Sequence, residues 1–349
     1  MSIENTDVKE RLDKATAEVM TYHSPIDLAH AGGVESGPPQ PVTMARELYQ
    51  SEYMKKMLYN HAMVVVVAPF IGLVAALLLA ARDGIGIVEI STFVVMYTLI
   101  MIGGEVGYHR HFTHRSFQAK PLLRGALAIL GCMTAQGPVI YWAAVHRCHH
   151  AHSDKPGDIH SPNLSGKPVL GTLRGLWHAH VGWMFNHAIP NSNFYSHDLV
   201  SDPMIRKINQ LYYTWVAAGL AIPALVVWSL SGTLLGAFKG FLWGGLVRMF
   251  FLNHFTWSVN SICHIFGMRP FDTHEDSTNN FWLWLPTFGQ SWHNNHHAFP
   301  YSAVMGLKWW QLDPGTWFLR LFEKLGLVWD IRVPAPETIA KKERKPDTT

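Results

Sequence analysis

Histidine is the residue type most able to do chemistry in this chain. The 349 residues include 21 histidines, against 25 Asp plus Glu, and imidazole is the commonest metal ligand among side chains. The histidines cluster. His109, His111 and His114 lie in GYHRHFTHR; His146, His149, His150 and His152 lie in HRCHHAH; His293, His296 and His297 lie in WHNNHH. A further string, NSICH, opens with Asn260 and ends with His264. Helix positions i, i+3 and i+4 share a face. The triads 146/149/150 and 293/296/297 are therefore each expected to converge. His109 and His114 are five apart and point about 140° apart on an ideal helix, so they are expected to serve two different targets.

The ligand count then sets the number of metals. Two triads with His109 and His114 make eight imidazoles, and His264 makes a ninth. A first-row ion takes about four to six ligands, so one ion cannot use them all. Two metals are expected, each with four or five nitrogens and a position left open or filled by water. A structural zinc site would be closed and often thiolate-rich. Cys132, Cys148 and Cys263 lack CxxC spacing and read as reduced thiols. Zinc has no redox chemistry, and open-sided imidazole sites in a membrane suggest oxygen activation, hence iron. The Glu and Glu-x-x-His pairs of soluble di-iron bundles are not found. His111 and His152 read as supporting or surface groups. His23, His30, His61, His178, His180, His187, His197 and His274 read as non-ligands.

These clusters need elements to hold them, and the composition says which. The chain is 48% hydrophobic and 15% charged, against about 25% charged for a soluble domain. A net charge of +3 is too mild for a nucleic-acid partner. The apolar residues come in blocks. Four membrane spans are predicted, at residues 61–81, 85–104, 211–230 and 234–259, while 122–145 is expected to lie in the interface. Short turns make two hairpins. Nearly all other Lys and Arg fall in the N-terminal arm, the middle segment and the C-terminal region, so the positive-inside rule puts these, both termini and every histidine cluster in the cytoplasm. The start carries no secretory signal. The predicted fold is all-α and integral to the membrane: four transmembrane helices with a cytosolic helical cap carrying a histidine-rich di-metal site. Its parts are a flexible arm (1–45), a membrane domain (46–334) and a charged tail (335–349). Arg248 and Lys239, inside the fourth span, must face protein or reach the interface. A metal transporter would hold its ligands near mid-bilayer, whereas these lie beyond span ends.

The strings GYHRHFTHRSF (107–117), AQGPVIYWAAVHRCHHAHSD (135–154), NSICHIFGMRPFD (260–272) and WHNNHHAFPYSA (292–303) resemble those of the integral-membrane fatty acid desaturases, specifically the acyl-CoA and acyl-lipid delta-9 group. The resemblance covers roughly residues 60–334, and GLKWWQLDP (306–314) is similar to bacterial members. It implies insertion of a double bond into a saturated acyl chain, held as a thioester or lipid, using O2, two iron ions (Fe2+/Fe3+) and two electrons from ferredoxin or a small cytochrome. It implies one iron on His109, His150, His264 and His297, with Asn260 acting through water. The other would use His114, His146, His149, His293 and His296. Asp154, Asp158 and Asp276 are candidates to orient the rings. Phe93, Tyr97 and Trp142 are candidates to line the acyl tunnel. The chain departs from the family at Gly289-Gln290-Ser291, where Gly-Glu-Gly is common, at His111, and at Asp158-Ile159-His160, where Asp-Pro-His is common. The rival readings are a hydroxylase of fatty acyl chains or alkanes, or an acetylenase, with the same histidine boxes.

Overall fold

The structure, a computed structural model, describes residues 47–49, 51–166, 169–185 and 188–344. The arm predicted for 1–45 and His187 lie outside the described residues. Four helices are long and apolar enough to cross a membrane. The first, α1 (Glu52–Asp83), is capped by Ser51, whose Oγ accepts the Met54 N–H at 3.3 Å. Gly84 ends it at φ +76°, where a Cβ would be strained. The turn at 84–86 is so short that α2 (Ile87–Thr113) must return antiparallel. It is an α-helix to Met101 and a π-helix over Ile102–Thr113.

The chain then builds the cap. Helices α3 (Pro121–Cys132), α4 (Val139–His152), α5 (Val169–His180) and α6 (Pro203–Gln210) follow in order. At 12 residues, α3 is about 18 Å long and cannot cross a core of ~30 Å. It packs on the π-helical part of α2, where Gly103 meets the Leu130–Gly131 backbone.

The second hairpin is α7 (Tyr212–Ser231) and α8 (Leu234–His264), joined at Gly232 and Thr233. A second π-helical stretch, Phe241–Val247, lies within α8. The cap is completed by α9 (His293–Ala298), α10 (Pro314–Lys324) and α11 (Pro336–Lys342). Two antiparallel strand pairs tie distant segments: Leu48–Tyr49 with Ile189–Pro190, and Gln118–Ala119 with Val328–Trp329.

All four predicted spans fall within these helices, apart from the turn residues at the start of the second and third. The outward faces carry exposed Val64, Ile71, Leu78, Val95, Leu225 and Leu234, as lipid contact requires. The protein is integral to the membrane. Because α2 and α8 run on past their apolar stretches, they lift His109 and His264 toward the cap. A buried core of Ile100, Met101, Val106, Leu127, Cys132 and Leu252 fixes α2, α3 and α8 together.

Arg248 turns inward. It is fully buried and donates to the carbonyls of Met133 (3.0 Å), Gly219 and Gly244 (both 3.3 Å). Lys239 lies 3.8 Å from both Asp83 and Glu89, where the two hairpins meet. The charged tail predicted from residue 335 is docked over its described part. Lys342 Nζ donates to the Ala298 carbonyl at 2.6 Å, and the Arg344 N–H donates to the Pro270 carbonyl at 2.8 Å.

Candidate metal centre

The nine ring-bearing positions expected as ligands come together in two groups. Ligand atoms of His109, His114, His146 and His296 lie within 4.8 Å of one another, and so do those of His149, His264, His293 and His297. His150 stands beside the first group, with its Nε2 2.9 Å from that of His296 and 3.1 Å from that of His146. Its ring also stacks on His297 at 4.6 Å.

This grouping by distance differs from the ligand sets implied by the resemblance. His109 and His114 share a group because their segment is a π-helix. The His114 N–H donates five residues back, to the His109 carbonyl, and the rings end 5.0 Å apart. An α-helical template, which separates them by about 140°, misleads here. The triads do not converge as units either. Relative to position i, i+4 is offset by about 40° and i+3 by about 60° in the opposite sense. Hence His146 and His150 go one way and His149 the other, while His293 and His297 part from His296.

Carboxylates set the tautomers. His109 Nδ1–H donates to Glu105 at 2.9 Å, His149 Nδ1–H to Asp158 at 3.0 Å, and His264 Nδ1–H to Asp154 at 2.8 Å. Each Nε2 is thereby left with a lone pair facing other imidazole nitrogens. His109 and His296 Nε2 lie 3.2 Å apart, His114 and His146 3.1 Å, and His264 and His293 3.0 Å. Facing lone pairs at such distances repel unless a cation lies among them, and buried imidazoles with carboxylate-bound Nδ1 are the donor set of a metal pair. The residues fit two first-row ions.

The electrostatics agree. Burial, reinforced by the neighbouring imidazoles, holds His146, His150, His293, His296 and His297 well below the usual histidine range. They are therefore neutral, as ligands must be. Burial opposes charge on His149 too, but Asp158 outweighs it and raises the ring. Burial also opposes the Asp158 and Asp154 charges, yet His149 and His264 hold those carboxyls below the usual range.

Of the predicted orienting groups, Asp154 and Asp158 act through their side chains. Asp276 donates its backbone N–H to Asp154 instead. Two carboxylates had been missed. Glu275 lies 3.7 Å from His297 Nδ1. Glu105 is fully buried and also accepts from Arg110 Nε at 2.9 Å and from Gln290 Nε2. Its signal was a carboxylate at the end of an apolar run, four residues before His109. His111 points away, to the Phe117 carbonyl.

Two of the three arginines that follow histidines in the boxes, Arg110 and Arg147, are clamps. Arg110 reaches Asp313 at 2.8 Å and the carbonyls of Ala303 and Phe288. Arg147 reaches Asp198 at 2.6 Å and the carbonyls of Phe112 and Thr113. It thereby ties the end of the π-helix to α4, and His114 to His146.

A cavity with about 890 Å³ of empty volume, its open mouth included, touches His109, His146 and His293. Its other walls are Leu58, His61, Ala62 and Val65 of α1, Gln136 and Trp142 at α4, and Thr256, Trp257 and Asn260 of α8. No Lys or Arg lines it. Trp142 stacks on His146 at 5.1 Å, and its Nε1–H donates to Gln136 at 3.1 Å. Phe93 and Tyr97, expected in the tunnel, do not line this cavity. Phe93 packs edge-on against Phe251, and Tyr97 donates its hydroxyl to the Pro286 carbonyl at 2.6 Å. His61, read as a non-ligand, and His160 also line it.

Comparison with known proteins leads the same way. The profile of the fatty acid desaturase family ("Fatty acid desaturase") matches residues 87–330. A hex-5-enoyl-[acyl-carrier protein] acetylenase of Moorena producens (strain JHB) is 48% identical, over 86% of this chain and 94% of its own. An sn-1 stearoyl-lipid 9-desaturase of Anabaena variabilis is 35% identical, over 66% of this chain and 79% of its own. An acyl-CoA C20 Delta5-desaturase of Anemone leveillei is 35% identical, over 70% of this chain and 75% of its own. With a matching profile over well over half its length and relatives this similar, the chain belongs to the fatty acid desaturase family.

Proposed function

We propose that this oxygen-dependent oxidoreductase removes two vicinal hydrogens from a short fatty acyl thioester, using O2, two electrons and two irons held by the nine histidines. His109, His114, His146, His150 and His296 would hold one iron. His149, His264, His293 and His297 would hold the other, with Asn260 on the cavity side. The observation that carries this reading is the convergence of nine imidazole nitrogens beside an apolar cavity. When bound, the irons supply the oxygen-dependent attack on unactivated C–H bonds, which acid–base groups cannot provide.

The rest is done by the chain. The cavity binds the acyl group by burial, at about 0.8 kcal/mol per methylene. Trp142 and Trp257 hold it against the histidine wall. Glu105, Asp154 and Asp158 keep their Nδ1 protons in place, so that ring orientation does not change during turnover. With no Lys or Arg in the cavity lining, carrier phosphates stay outside it. From Leu58 to Val65 the cavity follows seven residues of α1, about 10 Å, whereas one leaflet of a ~30 Å hydrocarbon core is about 15 Å deep. This favours a short chain, as does the 48% relative, and by that likeness the carrier is an acyl carrier protein. The same relative favours a second reading, acetylenation of a chain that already has a double bond. Delta-9 desaturation of a long acyl lipid or acyl-CoA rests on the 35% relatives. The histidine boxes and both termini face the cytoplasm, where ferredoxin or a small cytochrome delivers electrons.

The test is expression in cells with mass profiling of acyl products, beside His146→Ala. Loss of two hydrogens from a short chain, dependent on His146, is expected. A gain of one oxygen would mean a hydroxylase, and no acyl change would sink the reading.

A further inference from the structure

One apolar stretch lies outside the four spans yet is poorly covered by protein. Residues 281–288 read FWLWLPTF, with no charge. Trp282 is 85% exposed and Leu285 56%. Their level is fixed by α2. Tyr97 donates its hydroxyl to the Pro286 carbonyl at 2.6 Å, and Phe288 belongs to the same buried core as Ile100 and Met101. Tyr97 lies inside the apolar run of α2, between Val95 and Leu99, both exposed as lipid contacts. Residues 281–288 therefore flank α2 at a level where whatever is not protein is hydrocarbon.

The backbone suits that surrounding. It winds in tight helical turns. The N–H groups of Trp284, Thr287, Phe288 and Gly289 donate to the carbonyls of Phe281, Leu283, Leu285 and Trp284, and the Trp282 N–H donates to Asn280 Oδ1. Pro286 has no N–H to leave unpaired, and Tyr97 takes its carbonyl. A chain at membrane depth must satisfy these groups internally. The outer face of α10 continues the surface, with the Trp284 and Trp317 rings 6.4 Å apart. Trp317, Leu321 and Leu325 are 47–60% exposed and fall within about 80° of one another around the helix. Leu319, fully buried, and Phe318, stacked on Phe288 at 5.9 Å, form a second sector. Arg320, Glu323 and Lys324 form a third. A helix with core, apolar and charged sectors suits a membrane boundary, its charges turned to water. We propose that residues 281–288 and the outer face of α10 form a re-entrant wedge in the leaflet on the cap side, covered by lipid acyl chains. The wedge is continuous with the lipid-facing surface of α2. His293 follows Phe288 by five residues, so the last histidine box rises directly out of the bilayer.

The experiment uses the full chain in lipid nanodiscs. All three native cysteines are buried, so Leu285→Cys and Leu321→Cys each take one nitroxide label. Collisions with O2, which concentrates in hydrocarbon, are compared with those of a polar nickel chelate, which hydrocarbon excludes. Val95→Cys is the lipid reference and Lys308→Cys the aqueous one. The O2-to-nickel ratio at both sites is expected to lie at least about tenfold above that at Lys308, and near that at Val95. A second measurement needs no cysteine. The emission lost in Trp282→Phe should be quenched by phospholipids brominated in their acyl chains and not by aqueous iodide. This variant exchanges one exposed ring for another, so it keeps the test open where a cysteine variant fails to fold. Ratios like that of Lys308, or iodide quenching of the Trp282 emission, would put the wedge in water and overturn the proposal. Spin–spin broadening that vanishes on dilution with unlabelled protein would overturn it too, because a second copy would then cover the face. Low collision rates with both reagents would do the same, by showing that protein covers it.

Discussion

Single carboxylates decide how the imidazoles point. Asp158 holds His149 and also accepts the backbone N–H groups of Asp154 and His160. Asp158→Asn keeps the shape but lets the amide turn its N–H2 toward the ring. Removal of such an orienting partner costs about 10–100-fold in metal affinity. We expect iron per chain to fall from two toward one on dialysis, the group with His109 keeping its metal. Gln290 makes the opposite point. Its amide is a donor that saturates Glu105 beside His109. Gln290→Glu places a second carboxyl on a fully buried one, and two carboxylates at one site cannot both ionise. A lower melting temperature is expected, and an unchanged one would show that the site relaxes. The histidine boxes were legible in the sequence because nothing else explains so many imidazoles at those spacings. Glu105 and Glu275 were not, because a carboxylate announces no partner until the chain is folded.

The elements carry the geometry that spacing alone misjudged. Helix existence was readable from uninterrupted apolar runs, since a membrane leaves the backbone few other solutions. The π-helical turn of α2 was not, because its extra residue per turn is stabilised by packing on α3 rather than by any local residue preference. The Gly103 contact is what permits that approach. A Cβ there would fall on the Leu130–Gly131 backbone, so Gly103→Ala should destabilise by about 1–3 kcal/mol. It should also loosen the group with His109, read as lower iron content and lower melting temperature together. Arg147 is the second constraint. Arg147→Met leaves the carbonyls of Phe112 and Thr113 without their donor, and leaves the part-exposed Asp198 with Arg115 3.9 Å away. Each buried carbonyl left unpaired costs about 1–3 kcal/mol. Folded yield should drop sharply, whereas the exposed Arg320→Met, at a surface pair, should change little.

At the scale of the molecule, nine imidazoles in one buried region make stability depend on pH. Folded His146, His150, His293, His296 and His297 resist protonation. In the unfolded chain they take protons below about pH 6.5. The unfolded state then binds more protons, so stability falls as pH drops through that value, by up to about 1.4 kcal/mol per pH unit for each such histidine. Metal-free protein in detergent should lose melting temperature steeply between about pH 7 and 5, and a flat profile would contradict the neutral cluster. Sidedness is testable too, because all three native cysteines are buried. Lys308→Cys should label from the cytoplasmic side and Arg82→Cys from the other. The sequence could not reveal that the end of α11 docks on the cap, because its charged composition reads as a solvated tail. That docking has a consequence for truncation. Lys342 braces the end of the helix bearing His293, His296 and His297, and Arg344 holds the Pro270 carbonyl, so the last histidine box is latched by residues far downstream of it. A chain cut short near residue 335 would lack this latch, and the helix carrying the last histidine box would lose its brace at Ala298.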